Sequence, residues 1–175
     1  MSGEVFNDSL MLEIFRAEVE THVESLTSGL LALERDPGDT SHIDEMMRGA
    51  HSIKGAARIV GIDPAVRIAH VMEDGFIAAQ NGKLTLKPEH VDVLLRGVDL
   101  LSRLANASND PSIDWTRFDG EATPLVAEIS AVLAGGPVVK APTAKAAPSV
   151  AQARSAPAAL TPNPSPGGEG SRKPS

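Results

Sequence analysis

Cysteine and tyrosine are absent from this 175-residue chain, and aromatic residues are scarce, with one Trp and four Phe. Without Cys there is no disulfide framework, no thiolate metal site and no thiol nucleophile. Basic charge is also in deficit. Lys and Arg number 16 against 23 Asp and Glu, a formal net charge of −7. An acidic chain with few aromatics is a poor nucleic-acid binder. No apolar run approaches the roughly 18 residues of a membrane span. The N-terminal MSGEVFNDS carries acids where a secretory signal carries Lys or Arg. These absences leave a cytoplasmic protein with at most one domain.

What is present divides near residue 135. Residues 135–175 hold 8 of the 13 Pro, are rich in Ala, Ser and Gly, and lack Phe, Ile and Trp. Their net charge is +4, which leaves −11 on the first 134 residues. Such a tail buries too little apolar surface to offset the entropy of ordering, so 135–175 is expected to be a disordered Ala/Pro/Gly-rich linker. A spacer normally leads to another domain, and this one leads to a stop, so a fragment or truncated product is expected.

The first 134 residues predict five helices. Phe15, Val19, Val23, Leu26, Leu30 and Leu33 step by threes and fours, an apolar stripe over about 8–34. Asp36-Pro37-Gly38 breaks it. A second helix is expected from Ser41, with Asp44 as capping-box partner, through Ile43, Met46, Ala50, Ile53, Ala57 and Val60 to Gly61. A third opens at Asp63-Pro64, read as cap and first-turn Pro, and stops at Asn81-Gly82. A fourth starts at Pro88 and carries Val91, Leu94, Val98, Leu101 and Leu104. A short fifth runs from Thr123-Pro124 to Gly135-Gly136-Pro137 and is expected to pack at one end. No stretch alternates with period two and no repeat is evident. The expected architecture is all-α, an up-down antiparallel four-helix bundle plus that fifth helix.

The chemistry concentrates in RGAHSIKGAARIVG, residues 48–61. With Ala50 at zero and about 100° per residue, His51 sits near 100°, Lys54 near 40°, Gly55 near 140° and Arg58 near 80°. His51 thus projects from the flank of the stripe with two cations and a glycine around it. A mid-helix Gly costs about 1 kcal/mol relative to Ala, so it needs a reason, and close approach by another molecule is one. The cations favour a neutral imidazole with a free lone pair and would receive an anion attached to it. On the third helix Glu73 falls inside the apolar sector, where an ionised carboxylate needs a partner. His70 and His51 are both candidates, and pairing with Arg67 or Lys83 is the plainer alternative. A carboxylate on Nδ1–H of His51 would leave Nε2 outward as nucleophile. Metal binding by His51, His70 and Glu73 is disfavoured, because neither HExxH nor a paired ExxH occurs.

The string AHSIKGAARIVGI resembles the phosphoacceptor helix of histidine phosphotransfer (HPt) domains, and more narrowly the N-terminal HPt domain of CheA-type chemotaxis histidine kinases. RIAHVMEDGFIAAQ resembles that domain's next helix, and ARIVGI with RIAHVMED is most similar to the Wsp-type surface-sensing branch of hybrid CheA-like kinases. The resemblance covers roughly 6–134. It implies that His51 carries a phosphoryl group, that Lys54 supports it electrostatically, that Gly55 admits the partner, and that Glu73 hydrogen-bonds the imidazole, with His70 in the same network. Ala56-Ala57 departs from the Gly-Ala of many relatives. The resemblance further implies a monomeric phosphocarrier in a two-component phosphorelay. Its partners would be a CheA-type kinase catalytic domain and response-regulator receiver domains, the receiver docking on the face of the second and third helices. No Gly-rich phosphate loop or acidic metal cluster is present, so ATP and Mg²⁺ would belong to those partners and this chain would not phosphorylate itself. The alternative is a helical module that docks a receiver or kinase and carries no phosphate.

Overall fold

A computed structural model describes residues 2–110 and 112–135, with side chains from Ser9 onward. The elements are α1 (Ser2–Arg35), α2 (Ile43–Ile59), α3 (Asp63–Gln80), α4 (Pro88–Ala107), a 3₁₀ turn at Trp115–Phe118 and α5 (Asp119–Leu133). There is no strand among the described residues. The expected linker lies, from residue 136 on, outside them.

The apolar stripes are what close the bundle. Phe15, Val19, Leu26, Leu30 and Leu33 of α1 are buried. They meet Ile43, Met46, Ala50, Ile53 and Ala57 of α2, Ile68, Met72 and Phe76 of α3, and Val91, Leu94, Leu101 and Leu104 of α4 in one core. Burial of each large side chain contributes about 1.5–3 kcal/mol before the entropy of ordering is counted. The α1–α2 hairpin is tight: a Cβ at Gly29 would lie 2.7 Å from Sδ of Met46. Turns are made where left-handed backbone is needed, at Gly61 (φ 71°) after α2 and Gly82 (φ 69°) after α3.

Four expected details are corrected. α1 begins at Ser2 rather than near 8. α2 begins at Ile43, with His42 at its N-cap and no side-chain cap. The backbone N–H of Ser41 donates to Oδ1 of Asp39 at 2.9 Å, so this residue closes a local turn instead of capping. Asp44 pairs with Arg48 and accepts from Gln80. Asp63 is the first helical residue of α3, not its cap, and its carboxylate lies 2.8 Å from Nε of Arg67.

The fifth helix departs most. It begins at Asp119, and Pro124 lies inside it. Asp114 sets the start by accepting from the backbone N–H of Thr116 at 3.0 Å, which closes the 3₁₀ turn leading into α5. It does not sit at one end of the bundle. Arg67 of α3 binds Asp119 and Thr123 near its start, and Leu133 near its finish faces Gly75 of α3. Arg103 and Arg96 of α4 bind Glu121 and Glu128 in reverse order. α5 therefore lies lengthwise along α3 and α4, parallel to one and antiparallel to the other.

Candidate functional site

α2 and α3 run antiparallel and bring His51 opposite Glu73. The His51 side chain is 70% exposed, whereas Glu73 is 8% and Lys54 17% exposed. Nδ1 of His51 lies 2.6 Å from Oε1 of Glu73. Nζ of Lys54 donates to the other carboxylate oxygen. Burial pushes the Glu73 carboxyl upward, but the hydrogen bonds and charge of Lys54 and the hydrogen bond of His51 outweigh it, so its pKa falls below the usual glutamate value. An ionised carboxylate only accepts. Nδ1 must then carry the proton, which leaves the lone pair on Nε2, the ring nitrogen facing away from the bundle.

Lys54 is directed inward to Glu73, one helical turn from His51. Gly55 is exposed, and an added Cβ there would meet nothing within 4 Å. No intramolecular packing therefore explains this glycine. His70 is not brought into the network. Its Nε2 lies 3.6 Å from Oδ2 of Asp74 on the exposed side of α3, with no hydrogen bond to Glu73. The neighbour one turn along won because His70 stands on the solvent flank while Glu73 points between helices. Nor does Glu73 pair with Arg67, which serves α5.

Sequence reasoning missed the α1 side of the site. Oγ of Ser52 donates to Oε2 of Glu18 at 2.6 Å, and Nε2 of His22 lies 3.3 Å from the same oxygen. The ring of His22 rests on Gly49, where a Cβ would touch it at 3.4 Å. The turn carrying His51 is thus tied to α3 through Glu73 and to α1 through Glu18. The Glu18-to-His22 spacing of four was the available signal. Beside this tie, Met11, Ile14, Ala56 and Ile59 line a groove of about 220 Å³ that Glu18 and Ser52 border. Ile59 is 73% exposed, and Leu10 and Ile14 are nearly half exposed. Among the described residues no group of three His, Asp or Glu is placed to hold a metal ion, and no helix is long and apolar enough to cross a membrane.

Comparison with known proteins bears on this arrangement. The family model described as the Hpt domain matches residues 10–107. The chain is similar to the chemotaxis protein CheA of Rhizobium meliloti, 36% identical over 84% of this chain and 19% of that protein. It is similar to the CheA of Halobacterium salinarum, 39% identical over 50% of this chain and 13% of that protein. It therefore spans no more than about a fifth of the length of these relatives. Among solved structures it resembles the phosphorylated P1 domain of CheA3 from R. sphaeroides, determined in complex with CheY6. The TM-score is 0.64 at 18% identity, covering 74% of this chain and 99% of that one, a likeness of fold.

Proposed function

The chain belongs to the Hpt domain family, and from that premise we propose that it is a phosphocarrier in a chemotaxis-type phosphorelay, taking a phosphoryl group on Nε2 of His51 and passing it to a receiver-domain aspartate. One observation carries the reading. An imidazole 70% exposed to solvent has its inner nitrogen held by a buried, charge-balanced carboxylate. A surface histidine has no use for such support, and a nucleophile does.

The chemistry follows from the geometry. The lone pair of Nε2 attacks phosphorus as the bond to the leaving oxygen breaks. Nδ1 keeps its proton, and the positive charge developing on the ring faces Glu73. The second transfer reverses this, with a carboxylate oxygen displacing Nε2. Both steps are in-line and depend on positioning and electrostatics, which a rigid helix pair supplies. The donor is a CheA-type kinase catalytic domain, which brings ATP and Mg²⁺; the receiver brings its own Mg²⁺.

The apolar groove of α1 and α2 begins one residue beyond His51, at Ser52, and includes exposed Ile59 two turns further on. Together with unobstructed Gly55, it supports a receiver docking on the α1–α2 side rather than on the α2–α3 face. That the similar P1 domain was determined with CheY6 supports the same class of partner. We keep the bundle as one domain ending near 134, and the Wsp-type branch on the wording of ARIVGI and RIAHVMED alone.

The test is intact-protein mass after mixing the chain with a phosphorylated receiver, or with a CheA-type kinase core and Mg-ATP. Wild type gains one acid-labile phosphoryl group, and His51→Gln gains none while staying helical. Equal labelling of the variant refutes the assignment. No gain with any donor, by a folded wild type, favours the module that docks without carrying phosphate.

A further inference from the structure

We propose that Arg58 is the cation that holds the phosphoryl group on His51, and that Lys54 serves Glu73 instead. The inference rests on His51 being the phosphoacceptor and names the group that binds its product.

Charge balance comes first. Lys54 and Glu73 form a largely buried pair whose charges cancel. The two groups closest to the imidazole therefore offer no net charge to an incoming dianion, on a bundle already carrying −11 over its first 134 residues. A further cation is required, and it must be uncommitted. Arg48, Arg67, Arg96 and Arg103 are committed to Asp44, Asp119, Glu128 and Glu121. Arg58 is exposed and makes no ion pair among the described residues.

Position comes next. Arg58 follows His51 by two helical turns, about 20° away around the axis and about 10.5 Å along it. Helical side chains lean toward the N-terminus, so the long Arg58 stem leans back toward His51 while a phosphoryl group on Nε2 extends outward. The residue between them is Gly55, where no side chain intervenes and a Cβ would meet nothing within 4 Å. The result is an open shelf with the imidazole at one end and a guanidinium at the other. A guanidinium is also the better group for the task, since its planar fork matches phosphate oxygens in pairs.

Potassium phosphoramidate tests this without any protein partner. Nε2 displaces ammonia from phosphorus, the phosphorus–nitrogen bond of the donor breaks, and Nδ1 keeps its proton. Wild type, Arg58→Gln, Arg58→Lys, Lys54→Gln and His51→Gln are phosphorylated and followed by intact mass, and the phosphoryl group is titrated by ³¹P NMR. Arg58→Gln is expected to form phospho-His51 about threefold more slowly and to move the second phosphoryl ionisation up by about half a pH unit, the scale of one exposed ion pair. Arg58→Lys restores most of that shift, and Lys54→Gln moves it less than Arg58→Gln does. An Arg58→Gln titration identical to wild type overturns the proposal, as does the reverse order of the two variants. Slower transfer from a phosphorylated receiver with an unchanged titration also overturns it, and assigns Arg58 to the partner interface. A folded wild type with no phosphoryl group on His51 refutes the phosphoacceptor reading itself.

Discussion

Glu73 accepts from His51 and Lys54 at once, so its removal strands two donors of very different exposure. Water replaces the lost partner of His51, 70% exposed, at little cost to folding. Lys54 is 17% exposed, and its ammonium must find a new acceptor. Leaving a buried donor unpaired costs about 1–3 kcal/mol. The 3–5 kcal/mol seen for fully buried pairs is too high here, because a flexible lysine stem can carry Nζ to the surface. Glu73→Ala should therefore cost about 2 kcal/mol, near 6 °C in Tm for a bundle of this size. Lys54→Met should cost a similar amount for the opposite reason, since it leaves a carboxylate 8% exposed with only His51 as partner. Removing both strands neither charge. The double variant should fall short of the sum by about 1–2 kcal/mol. Urea denaturation followed by far-UV circular dichroism at pH 7 measures all four proteins. The phosphorylation rate of Glu73→Ala, taken alongside, should drop about 10- to 100-fold, the scale of one charge-assisted hydrogen bond lost in the transition state. Additivity within about 0.5 kcal/mol would show the two charges to be independent and refute the argument.

Other outcomes follow from the same geometry. Gly55→Ala should stabilise the bundle by up to about 1 kcal/mol, because the helix gains and nothing is in the way. It should nevertheless slow transfer from a phosphorylated receiver; faster or equal transfer would remove Gly55 from the docking face. Glu73 has a depressed folded pKa, so its contribution is fully present above the ordinary value of 4.5 and is lost as pH falls through the lower folded value. Acid unfolding of Glu73→Gln should therefore be flatter than wild type below pH 4.5, since Asp39, Asp110 and Asp114, also depressed, remain in both. Superimposable curves would show that Glu73 is not the group. Ser52→Ala should lose about 0.5–1.5 kcal/mol with the Glu18 bond, and Ser52→Thr should retain it. Equal stability of all three in urea would mean that the tie between α1 and α2 contributes nothing.

The helices could be read in advance because each has a core face defined by its own residues. The stripes from Phe15 to Leu33 and from Val91 to Leu104 need no knowledge of a neighbour to be seen. Caps were less legible because Asp39-x-Ser41 can satisfy itself in a turn before it helps a helix. Pro124 was misread for a related reason. It is compatible with a first turn, but it also fits further in, where the bond it forfeits is to the carbonyl of exposed Gly120. The lengthwise seat of α5 depends on Gly75 and Gly97, whose missing side chains matter only once Leu133 and Ile129 are known to lie there. The site divides along the same line. Glu73 announced itself by breaking the apolar pattern of its own helix, and a misplaced charge obliges a partner. Which partner it takes is a property of two helices together. Lys54 and Arg58 are indistinguishable cations on α2 considered alone. Only the position of Glu73 on α3 turns Lys54 inward, and by doing so it leaves Arg58 as the charge that faces out.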